Sequence, residues 1–226
     1  MSTPQWTIEL HAHSRYSHDC LTSFDQLQQI VKERNIDKLA ITDHNTTTGA
    51  LEMARLYPMW VIPGVEVMTT KGELLAWYIT DDVPAHRSPQ ETIDILRQQG
   101  ALISVSHPFD RHRGGAWAEE DLLAIVDQVD AIEVHNARCL HKEDNHKARA
   151  FAKQHGKLFT AGSDAHIKAE YGKAVMQVPP FASNAAGLKQ ALQAATYEPY
   201  LSSPLVHMGS TYAKWAKRLI PSLRAG

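Results

Sequence analysis

The sequence predicts an α/β fold with a mainly parallel sheet closed into a barrel. Three observations carry this. Apolar strand-like runs alternate with helix-like segments along most of the 226 residues. Seven or so such units follow one another in one chain, which favours closure over an open sheet. Many of the histidines and several acids stand just beyond the strand-like runs, where a parallel barrel gathers its loops on one rim.

The elements follow in order. "WTIEL" (6–10) reads as the first strand, and "TSFDQLQQIVKERN" as a helix capped by Ser23, with Leu27, Ile30 and Val31 at helical spacing. "DKLAIT" (37–42) precedes a helix in "TTTGALEMARLY". "WVIPGVEV" (60–67) and "LLAWYIT" (74–80) are joined by the turn-forming "TTKGE", so this pair reads as a hairpin rather than a crossover. Ser88 opens a helix through about Gln99, before the strand "ALISVS" (101–106). "AEEDLLAIVDQ" is helical, "DAIEV" (130–134) strand-like, "KEDNHKARAFAKQHG" helical with a terminal glycine, and "KLFTAG" (157–162) strand-like. "GKAVMQV" (172–178) is a last strand, followed by a helix near 184–196. The tail, about 210–226, forms a basic amphipathic helix expected to pack its Tyr212, Trp215 and Leu219 face on the barrel; a membrane surface or a partner helix is the other reading. No Gly/Ser linker, low-complexity run or close repeat divides the chain, so residues 1–226 are expected to form one domain.

Composition bounds the function. At 43% hydrophobic and 21% charged, the chain has the makings of an ordinary globular core. No apolar run is long enough for a membrane span, and the N-terminus lacks the pattern of a signal peptide. Two cysteines, Cys20 and Cys139, make no disulfide framework, so a cytoplasmic location is expected. A net charge of −2 speaks against stable binding to duplex nucleic acid. Thirteen histidines are the feature that composition leaves unexplained.

Their placement explains them. His11 and His13 follow the first strand, His44 the second, Glu66 lies near the end of the third, His107 follows the fifth, His135 ends the sixth, and Asp164 and His166 follow the seventh. Each has an ordinary alternative: alternating strand residues, a surface Asp-His pair, a satisfied buried acid, a Pro turn, a helix cap. Their coincidence at strand ends points to a metal site. Imidazoles with carboxylates and no required thiolate suit zinc, manganese or iron better than calcium or magnesium. So many ligands exceed one tetrahedral sphere, so two or three divalent ions are expected, with Glu66 as a bridge and Asp164 as a candidate second one. Asp19 is preferred to its neighbour Cys20, which would point elsewhere.

These motifs resemble those of the polymerase and histidinol phosphatase (PHP) superfamily of metal-dependent phosphoesterases. "HAHSRYSHD" is similar to its first motif, "TDHN" to its second, "GVEV" to its bridging-glutamate segment, "SHP" to its third and "GSDAH" to its fourth. The resemblance runs from about residue 7 to about residue 170 and implies a distorted (β/α)7 barrel with two or three metals. It implies that His11, His13, Glu66 and Asp164 hold one ion. Glu66 would bridge to a second ion held by His107 and His135, and Asp19, His44 and His166 would hold a third. Glu133 and Asn136 are rivals of His135, and His18 is a rival of Asp19. No long insertion separates the motifs, so the cup is expected to be open.

The implied reaction is in-line hydrolysis of a phosphate ester by a metal-bound hydroxide. Glu66, Asp164 and His166 form the catalytic group, Asp164 as base and a metal or His166 assisting the leaving group. Arg15, Arg111 and Arg138, with His112, stand in rim loops and are candidates to clamp phosphate. A small nucleotide, an oligonucleotide end or another small phosphomonoester is the expected substrate. The rivals are an amidohydrolase, which would couple its metals through a lysine where only the turn residue Lys71 is found, and a non-catalytic metal- or nucleotide-binding module.

Overall fold

Ser23 and Ser88 begin helices as their sequences suggest. The side chain of each accepts the backbone N–H three residues on, while Gln26 and Glu91 reach back to the cap, completing two capping boxes. The computed structural model describes residues 4–223. Its elements are β1 (Trp6–Glu9), α1 (Phe24–Glu33), β2 (Lys38–Ile41), α2 (Thr48–Leu56), β3 (Val61–Met68), β4 (Glu73–Trp77), α3 (Pro89–Gln98), β5 (Leu102–Val105), α4 (Glu119–Ile125), β6 (Ala131–Asn136), α5 (Lys142–Gln154), β7 (Leu158–Gly162), β8 (Met176–Val178), α6 (Ala185–Leu192), β9 (Thr196–Tyr197) and α7 (Val206–Leu219).

The strands form one sheet in the order β7-β6-β5-β4-β3-β2-β1-β8-β9, which curls into a nearly closed barrel. Neighbours β1–β2, β2–β3, β5–β6 and β6–β7 are parallel. β4 runs antiparallel to both β3 and β5, because the tight Thr69–Gly72 turn leaves no room for a crossover. The hairpin read from the sequence is therefore present. Its consequence is that the start of β4 stands on the same rim as the ends of the parallel strands. The rim is sealed by a parallel bridge between Ala12 and Ala165, with His13 N donating to the Ala165 carbonyl (3.0 Å) and Asp164 N to that of His11 (2.8 Å).

Strands β2, β5 and β6 are buried at every position, as expected where both faces are covered. Ile8, Leu10, Ile62, Leu75, Trp77 and Met176 pack into one cluster drawn from strands around the barrel, and the Trp77 indole donates to the Leu10 carbonyl (2.9 Å). This cluster floors the cup. One level up, apolar side chains give way to Glu66 and its neighbours.

The terminal helix departs from expectation. It starts earlier, at Val206, and ends at Leu219; residues 224–226 of the expected segment lie outside the described residues. Tyr212, Trp215 and Leu219 do not pack on the barrel but are 69%, 56% and 76% exposed. The helix is held instead by Gly209, Ala213, Ala216 and Lys217. The small residues let the helix approach closely, with Gly209 against Ile167, and Lys217 donates to the carbonyls of Arg15 and Ser17. No helix among the described residues is long and apolar enough to cross a membrane.

Candidate metal centre

The first loop is built around Asp43. Its carboxylate accepts hydrogen bonds from Ser14 N (2.6 Å), Ser14 Oγ (2.6 Å) and Ser17 Oγ (2.9 Å). Ser17 Oγ, having given its proton to Asp43, accepts from His13 Nδ1 (2.9 Å), which leaves Nε2 of His13 with its lone pair facing the cup. His11 is oriented in the same way, its Nδ1 donating to Glu133 Oε1 (2.8 Å). The last loop is pinned by Glu9, which accepts from Ser163 N, Ser163 Oγ and Gly172 N; burial pushes its carboxyl up to about 7. Gly162 is required there, since a Cβ would stand 2.3 Å from that of His11. Asp164 follows in the left-handed region (φ 54°), a strained conformation of the kind often found at functional sites.

The donor atoms converge. One each from His11, His13, Glu66 and Asp164 lie within 4.8 Å of one another, as do those of His13, His44 and His166, and those of His44, Glu66 and Glu73. Glu66 Oε1 accepts from Ser106 Oγ (2.6 Å) and lies 3.1 Å from His107 Nε2; its Oε2 lies 3.0–3.4 Å from His44 Nδ1, His11 Nε2 and His13 Nε2. Asp19 Oδ1 is 3.4 Å from His166 Nε2, and its Oδ2 is 3.7 Å from His44 Nε2. His18 is more than half exposed beside Asp19. The test of a metal site is whether these groups satisfy each other without one. They do not. His11 Nε2, Asp19 Oδ1, Glu66 Oε2 and His107 Nδ1 are buried without a hydrogen-bond partner. Buried orphans of this kind are costly, and three of them point into the cluster of imidazoles and carboxylates. The residues fit bound metal.

Electrostatics agree. Burial would raise the carboxyls of Glu66 and Asp164, but His11 and His44 around Glu66, and Arg113 and His11 around Asp164, hold both well below the usual range. Burial opposes charge on His44, yet Glu66, Asp19 and Glu73 outweigh it and push its pKa up to about 10. His13 is held neutral by burial and by His166 and His44. Protons and cations compete for the same lone pairs here, so cation uptake releases protons.

Three placements differ from the sequence-based expectation. His135 does not enter the cup. A bulge in β6 shifts the register between Glu133 and His135, which reverses the alternation. His135 therefore turns outward, bonding Tyr200 through Nε2, while Asn136 turns inward and donates to Glu133 Oε2 and Asp164 Oδ2 (3.1 Å each). Arg111 is exposed in a side cleft with His141 and Asp144, and Arg15 does not line the cavity. Arg138 lines the cavity but is engaged with His166, Ser210 and Glu170. The arginine that reaches the centre is Arg113, bonded to Asp164 through Nη1 and to Asp110 through Nε (3.2 Å). Glu73 at the start of β4 was also missed; it lies 3.5 Å from His107 Nε2 and can take the position expected for His135. Above the centre opens a cavity of about 510 Å³, walled by the Asp110–Gly115 loop, by Arg138 and His166, and by His207, Ser210 and Lys214 of α7.

Comparison with known proteins follows this geometry. The model of the PHP domain matches residues 9–161, and that of a PHP-associated region matches residues 142–197. The chain belongs to the PHP domain family. An uncharacterized protein of Methanocaldococcus jannaschii is 35% identical over 173 residues, 75% of this chain and 69% of its own. Among solved structures, a two-domain protein of Bacteroides vulgatus containing a predicted PHP-like metal-dependent phosphoesterase superposes with a TM-score of 0.66 at 16% identity, covering 93% of this chain and 70% of that one. A lesion-specific endonuclease of Pyrococcus furiosus superposes with a TM-score of 0.62 at 14% identity, covering 86% and 58%. At such identities the structural likeness establishes the barrel of this PHP protein, not its substrate.

The geometry of β6 makes a prediction for the PHP site. Glu133→Gln removes the charged acceptor that orients His11, and cation affinity should fall ~10–100-fold, the usual effect of losing such a partner. His135→Ala should leave affinity unchanged. Calorimetric titration with manganese or zinc reads both; equal losses in the two variants would refute the placement.

Proposed function

We propose that this protein is a metal-dependent phosphoesterase that hydrolyses a small phosphorylated substrate, a nucleotide, an oligonucleotide end or another small phosphomonoester. The observation that carries this is the buried ring of imidazoles and carboxylates with unpartnered donor atoms beneath a cavity bearing Arg113, Arg138 and Lys214. Two or three zinc, manganese or iron ions held by His11, His13, Asp19, His44, Glu66, Glu73, His107, Asp164 and His166 would neutralise phosphoryl oxygens and lower the pKa of a water.

The chain's own groups supply the rest. Asp164, kept ionised by Arg113 and His11, is placed to take a proton from the attacking water. Nδ1 of His166 lies between the Asp164 carbonyl (2.7 Å) and Arg138 (2.5 Å). Donating to the carbonyl leaves Nε2 with a lone pair for an ion; accepting from Arg138 leaves Nε2 with a proton for a leaving oxygen. Arg113, bonded to Asp164 and Asp110, lines the cavity and would offer its guanidinium to the oxygens of a phosphoryl group there. The cavity volume suits a mononucleotide-sized ligand, and the net charge of −2 disfavours long duplexes. The amidohydrolase reading loses support because Lys71 is on the surface, paired with Asp121 at 3.1 Å.

The test is an activity panel on metal-reconstituted protein: phosphomonoesters, diesters, adjacent bisphosphates, 5′-ended oligonucleotides and amides. Turnover of at least one phosphate ester is expected, and Arg113→Ala should raise KM more than it lowers kcat. Inactivity on every phosphate ester with metal bound, or turnover of amides alone, would overturn the proposal.

A further inference from the structure

The outward turn of His135 leads to a second cavity. It has a volume of about 360 Å³, lies between α5 and residues 197–201, and shares no lining residue with the cup. Its floor is preformed. His135 and Asn145 are 4% and 6% exposed. Asn145 accepts from Asn136 N (3.0 Å) and donates to the Asn136 carbonyl (3.1 Å), while His135 Nε2 donates to the Tyr200 carbonyl (2.7 Å). Burial lowers the pKa of His135, so this floor is neutral. The two sides differ in kind. One is largely apolar, with Tyr197, Pro199 and Leu201. The other carries Lys142 and Arg149, with His146 between them; steps of four and three residues put all three on one face of α5. The acids of that helix's first turn, Glu143 and Asp144, line a different cleft. Among the described residues no carboxylate lines the cavity, in a chain whose net charge is −2. Lys147 of the same helix is paired with Glu119 (3.1 Å), whereas Lys142 and Arg149 have no carboxylate partner among the described residues.

Cations on one side, an apolar surface on the other and no acid suit an anion carried on a flat apolar body. We infer that this cavity is a second ligand site and that it takes a mononucleotide, whatever ester the cup hydrolyses. Three side chains with N–H donors, Lys142, His146 and Arg149, match the three free oxygens of a phosphate monoester; a carboxylate offers two. The base has Tyr197 to lie against, by the stacking that aromatic side chains give to nucleobases. That ring is already oriented: it stacks on His135, with centroids 5.5 Å apart and planes at 28°, and the Arg149 guanidinium lies 5.9 Å from its centre. The volume sets the size. It is near the lower end of the ~300–1,000 Å³ of ligand pockets, room for one nucleotide and not for a strand. The ligand is bound here without being turned over, because the clustered metal-binding groups of the described residues all belong to the cup.

The probe is a nucleoside 5′-phosphonate, whose P–C bond resists hydrolysis, titrated calorimetrically into the metal-loaded full chain. Lys142→Glu with Arg149→Glu should lose one of the parental equivalents, through a fall in affinity of at least about 100-fold, ~10-fold for each charge-assisted contact removed. Melting temperature and metal content should stay parental, since both side chains are exposed and neither lines the cup. Lys142→Gln with Arg149→Gln adds no acid beside Glu143 and should lose the same equivalent, which keeps the comparison if charge reversal weakens the fold. On the parental chain, the plain nucleoside and methylphosphonate should each bind this site at least about tenfold more weakly than the probe. Equal uptake of the probe by the parent and both variants would overturn the inference. So would either fragment binding as tightly as the whole probe, which would leave the cations or the apolar side without a role.

Discussion

Glu66→Gln lowers kcat by at least about a thousandfold while the protein still folds; this is the expected result, at a scale set by the ~10²–10⁴-fold contribution of a single acid–base group and the dependence of water activation on bound cations. Glu66 is fully buried, and its Oε2 alone faces three imidazole nitrogens. Glutamine keeps the volume. Its amide oxygen can still accept from Ser106, and its NH₂ can donate to one imidazole lone pair. What it removes is the negative charge that lets cations sit close together. Measuring kcat, metal content and melting temperature on one preparation separates this from a structural role, which predicts a lower melting temperature with activity per folded molecule retained. Near-parental turnover at full metal content would show that Glu66 is not shared between ions.

Asp164→Asn is expected to cost ~10²–10⁴-fold in kcat, again at the scale of an acid–base group. Asparagine tolerates the left-handed backbone that Asp164 adopts, so the substitution isolates the charge. It withdraws the anionic partner of Arg113 and leaves Asp110 as the carboxylate paired with that guanidinium. Asp164→Ala should be equally inactive and also less stable by ~1–2 kcal/mol, the cost of placing a Cβ residue without a local polar side chain in that region. Thermal unfolding of both variants checks the distinction. An active asparagine variant would transfer the role of base elsewhere.

The residues that misled the sequence reading did so for identifiable reasons. His135 and Glu133 are two apart, and ordinary alternation puts them on one face; a single extra residue in β6 undoes this. Glu73 gives no local signal, because β4 runs backwards and brings its first residue rather than its last to the rim. Arg111 and Arg113 occupy one irregular loop, where two positions decide between solvent and the centre. On α7 the larger apolar residues suggested the packed face, but close approach to the barrel favoured alanine and glycine.

The sequence by itself determined the alternation of elements, the two serine caps, the hairpin, and the histidines and acids carried on loops that a barrel must gather, because each is written in local spacing or turn chemistry. The tertiary structure alone decided which of three neighbouring residues in β6 faces the cup, that Glu73 and Arg113 reach it, and that the apolar side of α7 looks outward. A side chain's direction at a bulge, on a reversed strand or in a loop depends on pairing with segments far along the chain, and no local pattern encodes that.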